Sequence, residues 1–149
     1  MGRLRAGPER VLIDDYLSRF DKTGRALGLG PVTMTEVEDR KGGGMTAEAA
    51  LLDKAVPKGA VRVMMDERGK LLSSPELADQ LARWRDSGRG DGSFVIGGAD
   101  GLDPVLRDSA DFRLSLGKMV WPHMLARVML SEQLYRAASI LAGSPYHRV

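Results

Sequence analysis

The sequence predicts an α/β fold in which helices cover both faces of a parallel sheet. Short apolar segments alternate along the chain with segments whose apolar residues recur at helical spacing. Strands that alternate with helices of this length are typical of βαβ units, which build parallel sheets. The chain has 149 residues, of which 43% are hydrophobic, and this is enough for one core. We therefore expect a single domain that spans residues 1–149.

The first half of the chain predicts two helices and two strands. Apolar residues recur at helical spacing from Leu12 to Phe20, and Pro8 stands near the first turn, where proline is favoured. Glycines after Leu27 end this helix. A segment rich in alanine and leucine predicts the second helix, and short apolar segments predict the strands. The expected helices are 8–27 and 46–56, and the expected strands are 32–37 and 60–66.

The second half predicts three helices and two strands. The pairs Ser74-Pro75 and Asp103-Pro104 each place a capping side chain before a proline, which is a common way for a helix to begin. The apolar segment 94–96 is typical of a strand buried in a parallel sheet. The expected helices are 74–87, one that begins at 103, and 122–141, and the expected strands are 94–96 and 112–116.

Composition narrows the classes of function. The net charge of +2 and the isoelectric point of about 9.1 are only mildly basic, which is short of a general nucleic-acid binder. The lack of cysteine excludes disulfides and thiolate metal sites, and two histidines argue against a histidine-rich site. No apolar run reaches the roughly 18 residues that suggest a membrane-spanning helix. We expect no metal, no membrane partner and a cytoplasmic location.

Three predicted strands end in residues that suit a ligand. These ends are Met65-Asp66, Gly97-Gly98 and Leu116-Gly117. In open parallel sheets, ligands bind beyond the carboxyl ends of the strands, and glycine lets a ligand approach the backbone closely. Neither the P-loop pattern nor the dinucleotide-binding glycine pattern is present. By itself the glycine pair is more often a structural turn than a ligand loop, so both interpretations stay open.

The segment 116–121 is unusually apolar for a loop that follows a strand. It contains Met119, Val120 and Trp121 directly before Pro122. One interpretation is a buried connection that packs the last helix onto the sheet. The other is a loop that wraps an apolar and aromatic ligand. The residues alone favour neither.

The last residues of the chain carry candidate polar groups. His147 lies in a polar tail with Tyr146 and Arg148, and Pro145 suggests that this tail docks, although terminal segments usually fray. An arginine in such a tail can contact phosphate, and a tyrosine can stack on a base, as in RNA-binding proteins.

Two further polar features have ordinary structural interpretations. His123 stands at a helix start after a proline, where a histidine is more often a local hydrogen-bonding residue than a catalyst. Glu132 and Arg136 are four residues apart on a predicted helix, which favours an ion pair on its surface.

Motifs along most of the chain match one family in their order and spacing. They are residues 2–9 (Gly-Arg-Leu-Arg-Ala-Gly-Pro-Glu), 65–70 (Met-Asp-Glu-Arg-Gly-Lys), 96–102 (Ile-Gly-Gly-Ala-Asp-Gly-Leu), Pro122-His123 and 145–148 (Pro-Tyr-His-Arg). Only Met65 departs within these motifs, since the family usually has leucine there. The chain resembles the ribosomal RNA large subunit methyltransferase H family of SPOUT α/β-knot enzymes.

This resemblance implies a homodimeric enzyme that uses S-adenosylmethionine to methylate N3 of a pseudouridine. The pseudouridine lies in the helix 69 loop of 23S rRNA in the ribosome. The resemblance also implies a C-terminal trefoil knot, in which the chain threads through an earlier loop. A Gly97→Val substitution is then expected to abolish cofactor binding while leaving the fold largely intact. The expected cofactor contacts are Met65, Gly97, Gly98, Leu116, Gly117, Lys118, Met119, Val120 and Trp121.

The chemistry that the resemblance implies also needs a proton to leave N3. A general base or a group that stabilises the resulting anion is therefore expected near the acceptor. The expected catalytic residues are Tyr146, His147 and Arg148. Tyr146 and His147 are the candidate bases, and Arg148 is their electrostatic partner.

The resemblance has one departure, at the start of the chain. Family members usually begin with an apolar strand just before the segment that matches residues 2–9, and this chain starts at that segment. We expect the first strand to be missing and the stability to be lowered, because backbone groups and a hydrophobic face of the sheet are left open. The alternative function is a non-enzymatic ribosome-binding protein of the same fold, inactive because this strand is lost.

Overall fold

The structure, a computed structural model that describes residues 1–148, is built around a three-stranded parallel sheet. The strands are β1 (Val61–Leu71), β2 (Gly92–Val95) and β3 (Phe112–Ser115), in the spatial order β2-β1-β3. β1 is central, and its first half is buried on both faces, with Val63 and Met64 fully enclosed. A strand buried on both faces has an uninterrupted apolar sequence, as this one nearly does. The predicted parallel sheet is confirmed.

β1 is longer than predicted because it contains a bulge. Met65 and Lys70 both pair with Leu114 of β3, so the four residues between them loop out of the ladder. Gly69 closes this β1 bulge (residues 66–69) against β3, since a Cβ atom at Gly69 would lie 2.7 Å from a backbone carbon of β3. A glycine inside a strand often marks such a close approach of two backbones. The predicted end of the strand at residue 66 is therefore wrong.

Helices cover both faces of the sheet, as predicted. On one face, α1 (Pro8–Gly24), α3 (Ser74–Asp86) and α5 (His123–Leu141) enclose the larger apolar cluster. On the other face, α2 (Gly44–Ala55) and α4 (Pro104–Asp108) cover a smaller one. In the part of the chain that the structure describes, no helix is both long and apolar enough to cross a lipid bilayer.

The helix starts follow the predicted chemistry with one shift. α3 is capped by Ser73, whose hydroxyl accepts from the Glu76 N–H (3.2 Å) while the Glu76 carboxylate accepts from the Ser73 N–H (2.9 Å). Ser74, the predicted cap, instead donates its hydroxyl to the side chain of Gln133 on α5 (2.7 Å). The reciprocal capping box of Ser73 and Glu76 satisfies two backbone donors at the start of α3. α4 is capped by Asp103, as predicted.

The predicted strand at 32–37 is wrong. Side chains from residue 31 to 35 do alternate between exposed and half-buried positions, as the sequence suggested. The segment nevertheless pairs with none of the three strands. Its backbone instead donates from the Val32 N–H to the Asp21 carboxylate (2.8 Å) and accepts from the Gly2 N–H at the Val37 carbonyl (2.8 Å). The alternation of exposed and half-buried side chains therefore belongs to a segment that lines a cleft. It does not belong to a strand of the sheet.

A buried arginine of α5 fixes the N-terminal residues. Arg127 is 6% exposed and donates to the carbonyl oxygens of Met1 (3.0 Å) and Gly2 (2.8 Å). Its guanidinium lies 3.5 Å from the Glu36 carboxylate, which also accepts from the N–H of Leu4. A buried charge is tolerated when it is paired and hydrogen-bonded. This network holds the N-terminal segment against α5.

Replacing Ser73 with alanine is expected to lower the free energy of unfolding by about 1 kcal/mol, because an amide of the first turn of α3 loses its acceptor. Urea denaturation measures the change. The matched control is Ser18→Ala on an exposed position of α1, where a change within about 0.5 kcal/mol is expected. Equal effects of the two substitutions would contradict the capping role of Ser73.

Candidate active site

A cleft opens at the carboxyl end of β3, beside α1 and α5. Its volume is about 420 Å³, which is within the range of small-molecule sites. Leucines dominate its walls, and polar side chains of α5 reach its edge. We call it the β3 cleft, and its lining includes Tyr16, Leu71, Leu116, Gly117, Val128 and Glu132.

A buried serine ties the β1 bulge to the start of the loop that follows β3. The hydroxyl of Ser115 lies 3.1 Å from the carbonyl oxygen of Glu67 and 2.9 Å from that of Gly117. The same hydroxyl accepts a hydrogen bond from the N–H of Gly117 (3.0 Å). These contacts hold the two backbone segments together at one side of the cleft. The role of this serine was not predictable from the sequence, because Glu67 is 48 residues away in the chain.

The predicted cofactor loop, residues 116–121, divides into two parts. Leu116 and Gly117 line the β3 cleft. The residues after them are exposed, and Val120 reaches 81%. The interpretation of this segment as a buried connection is therefore wrong, since its apolar side chains project from the surface. The exposed members of the predicted set are Lys118, Met119, Val120 and Trp121.

The other predicted cofactor residues do not line this cleft. Met65 pairs with Leu114 in the sheet and packs against the larger apolar cluster. Gly97 is buried, and a Cβ atom there would lie 2.6 Å from the carbonyl oxygen of Gly101. Gly98 accepts a hydrogen bond from the N–H of Gly101 (3.0 Å), which closes a turn. This geometry favours the structural interpretation of the glycine pair, and a valine at position 97 would disturb the fold, contrary to our expectation.

A second cleft, of about 560 Å³, runs beside β2. Phe94 and Ile96 line one side and residues 29–35 line the other. The ammonium group of Met1 lies at its edge and donates to the carbonyl oxygen of Ile96 (3.0 Å). Burial, with a smaller contribution from Arg127, lowers the pKa of this ammonium group to about 6. The sequence did not predict this cleft, because it depends on the unpaired edge of β2.

The β1 bulge carries a buried acceptor that bears on cofactor binding. Asp66 accepts from the N–H of Arg68 (3.0 Å) through Oδ1, while its Oδ2 is buried without a partner among the described residues. Within residues 1–148 no group of three histidine, aspartate or glutamate side chains is placed to hold a metal ion. A lone buried acceptor suits a hydroxyl or ammonium donor, and S-adenosylmethionine has both. The lining of the β3 cleft does not include Asp66, so this oxygen and the apolar cleft each suit a different part of the cofactor that the resemblance implies.

The C-terminal tail docks on α5. The hydroxyl of Tyr146 donates to Glu132 Oε1 (2.9 Å), and its ring packs against Tyr135 with centroids 4.6 Å apart. Burial, with the Glu132 hydrogen bond adding to it, raises the pKa of Tyr146. Because Glu132 lines the β3 cleft, the tail lies beside the cleft of its own chain.

The predicted ion pair on α5 is confirmed and has a further contact. Arg136 donates to Glu132 Oε1 through Nε (2.9 Å) and Nη2 (2.6 Å). Its Nη1 lies 3.3 Å from Nδ1 of His147, while Arg148 is exposed. Helical spacing identified the pair, but nothing in the sequence indicated that the same glutamate receives Tyr146.

His123 lies apart from this cluster, at the start of α5. Its ring is near Gly2, since a Cβ atom there would lie 3.9 Å from His123 Nε2. Burial, with Arg127 adding to it, lowers the pKa of His123. The histidine therefore lies beside the N-terminal network, and its interpretation as a local hydrogen-bonding residue stays a prediction.

Gly97→Ala is expected to lower the free energy of unfolding by about 1–3 kcal/mol, because the added methyl group overlaps backbone across the turn. Chemical denaturation measures this change. Gly92→Ala on β2 is the matched control, since a Cβ atom there meets nothing within 4 Å. A Gly97→Ala protein as stable as the Gly92→Ala protein would refute the close packing of this turn.

The sequence of this chain matches a known family and several named proteins along its length. The family described as "Predicted SPOUT methyltransferase" matches residues 1–147. Proteins named "Ribosomal RNA large subunit methyltransferase H" from Dinoroseobacter shibae, Ruegeria pomeroyi and Cereibacter sphaeroides are 72%, 71% and 70% identical, each over all 149 residues of this chain and 96% of the relative. These matches confirm the resemblance inferred from the motifs. The chain belongs to the SPOUT methyltransferase family.

Proposed function

We propose that this protein transfers a methyl group from S-adenosylmethionine to large-subunit ribosomal RNA. The observation that carries the proposal is the full-length similarity to relatives named for that activity, at 70–72% identity. The β3 cleft supports it, because an apolar pocket at the carboxyl end of a parallel strand is where such sheets bind ligands.

We infer that the acceptor atom is N3 of a pseudouridine in the helix 69 loop of 23S rRNA, within the ribosome. The motifs at 96–102 and 145–148 support this acceptor, since the family resemblance rests largely on them. Tyr146 and Arg148 also suit a nucleotide, because aromatic rings stack on unpaired bases and guanidinium groups bind phosphate. An enzyme with this substrate acts in the cytoplasm, where ribosomes are.

The cofactor supplies a methyl group that its sulfonium already activates. The protein therefore mainly has to hold the acceptor in line with that methyl group. Leu71 and Leu116 offer apolar walls for an adenine, Gly117 brings the backbone close, and Asp66 offers an acceptor for a hydroxyl or ammonium group. The rest of the proposed cofactor set is Met65, Gly97, Gly98, Lys118, Met119, Val120 and Trp121.

The tail supplies the proposed catalytic residues Tyr146, His147 and Arg148. The hydroxyl of Tyr146 donates a hydrogen bond to Glu132, and its pKa is raised. At neutral pH the hydroxyl therefore keeps its proton and does not serve as a base. We assign it to stacking on the acceptor base. Arg148 is exposed and provides positive charge beside the anion that forms when N3 loses its proton.

We further propose a homodimer in which the two-fold interface brings each tail, docked on α5 of its own chain, to the site of the partner subunit. Leu12 of α1, Leu71 of β1 and Leu125 of α5 are exposed, as is the apolar part of the 116–121 loop. Apolar surface of this kind suits a two-fold interface. Leu130 and Leu134 are buried within the chain, so these two leucines of α5 do not contribute to that surface.

The knot stays a prediction. Ser115 contacts Glu67 and Gly117, and these contacts bring the loop after β3 against the β1 bulge. This proximity supports a knot. We infer that the chain threads there, because the family resemblance implies a knot at this part of the fold.

Titration with S-adenosylmethionine and transfer of a labelled methyl group to ribosomes test the proposed function. We expect saturable binding in a calorimeter and label in 23S rRNA, at a pseudouridine when the product is digested and identified. A protein that binds ribosomes without binding S-adenosylmethionine would reject the proposal and favour the non-enzymatic ribosome-binding alternative. Label on another nucleotide would reject only the acceptor.

Leu116→Ala is expected to weaken S-adenosylmethionine binding about tenfold, because losing part of an apolar wall costs on the order of 1.4 kcal/mol. Calorimetric titration measures the affinity. The control is Val105→Ala on α4, where valine is 80% exposed and no change is expected. Equal affinity of the two variants would remove the β3 cleft from the cofactor site.

Mixing two inactive variants tests whether the site is shared. One carries Leu116→Glu, which puts a charge in the β3 cleft, and the other lacks residues 144–149. If the tail acts on the partner, a mixed dimer has one intact cleft facing one intact tail, and part of the methylation returns. No recovery, with subunit exchange shown by mass spectrometry, would mean that each tail serves its own chain.

A further inference from the structure

Arg136 contacts one particular nitrogen of the His147 ring. Its Nη1 lies 3.3 Å from His147 Nδ1. Arginine carries five N–H donors and no acceptor, and it keeps its charge under all ordinary conditions. The direction of this hydrogen bond is therefore fixed: Arg136 donates and Nδ1 of His147 accepts.

The direction of this bond determines where the neutral ring carries its proton. A neutral imidazole has one N–H and one nitrogen with a free lone pair. With Nδ1 accepting, the hydrogen is on Nε2. We propose that Arg136 fixes neutral His147 as the Nε2–H tautomer, so that His147 donates a hydrogen bond to the acceptor base and does not remove the N3 proton. The role toward the acceptor rests on the proposed function, whereas the tautomer does not.

The guanidinium that sets the tautomer is itself held in place. Glu132 accepts from two of its nitrogens, at 2.9 Å and 2.6 Å, and its central carbon lies 4.8 Å from the centroid of the Tyr146 ring. Paired donors from one guanidinium fix its plane as well as its position. Among residues 1–148, the Nε2 atom of His147 has no hydrogen-bond partner, so this donor is available to a ligand.

A donor at this position suits the chemistry of the transfer. N3 forms a bond to the methyl carbon, the carbon–sulfur bond breaks with its electron pair going to sulfur, and the N3 proton passes to solvent water. Loss of that proton spreads negative charge over N3 and the neighbouring carbonyl oxygens. A fixed N–H aimed at such an oxygen stabilises the charge as it develops. In this scheme Arg136 is a positioning residue, and it acts through His147.

Nuclear magnetic resonance reads the tautomer without any activity. In protein labelled with ¹⁵N-histidine, two-bond proton–nitrogen spectra distinguish the two neutral forms of the ring. They are recorded at about pH 8.5, which is above the pKa of roughly 6.5 of a free histidine side chain. We expect the Nε2–H pattern for His147. Arg136→Met should shift His147 towards a mixture of tautomers, while His123 serves as the internal control and keeps its pattern. An Nδ1–H pattern in the unmodified protein would overturn the proposal without the need for a variant.

Substitutions of His147 test its role toward the acceptor. The glutamine amide N–H stands near the position of Nε2–H, whereas the asparagine amide stands near that of Nδ1. We expect His147→Gln to keep a kcat at least about tenfold above those of His147→Asn and His147→Ala, with similar KM values. Equal loss of kcat in all three would indicate a base and overturn the donor role. If the unmodified protein has the Nε2–H pattern but methylates no rRNA, the proposed function fails and the tautomer stands.

Discussion

The central strand β1 imposes the main constraint on this protein, because its first half is buried on both faces and paired along both edges. A buried backbone has to satisfy its donors and acceptors within the protein, so β2 and β3 flank it in parallel. Parallel strands then need helical crossovers, which supply the apolar cover of both faces. As a consequence, the carboxyl ends of the strands meet at one side of the molecule. The β3 cleft opens beside the carboxyl end of β3.

The bulge in β1 gives this edge its particular shape. Without it, β1 would pair with β3 as a regular ladder, and residues 66–69 would not loop out of the pairing between Met65 and Lys70. Gly69 permits the bulge because no other residue lets the two backbones approach so closely. The bulge then places Asp66 with a buried oxygen that has no partner among residues 1–148, and it brings Glu67 to Ser115. One glycine thus influences both the sheet and the candidate site.

Local features were predictable from the sequence, and features that depend on distant partners were not. The helices α3 and α5 follow from apolar periodicity, which acts within a few residues. The strand expected at 32–37 did not form, because alternation of side chains supplies no neighbouring ladder. The packing of Gly97 was also missed, since it depends on the carbonyl group of Gly101 across a turn. Of the expected cofactor set, Leu116 and Gly117 line the β3 cleft and Met65 does not, and their contacts with the cofactor stay a prediction.

The cluster around Glu132 shows how a rigid helix carries the geometry of the core to the end of the chain. Leu130 and Leu134 are buried, so the position and rotation of α5 are set by packing against the sheet. Glu132 lies between them in sequence and faces the cleft, where one oxygen receives both Arg136 and Tyr146. The tail is therefore positioned by side chains whose own placement depends on the core. A terminal segment that would otherwise fray docks beside the β3 cleft because its anchors belong to a helix that is packed into the core.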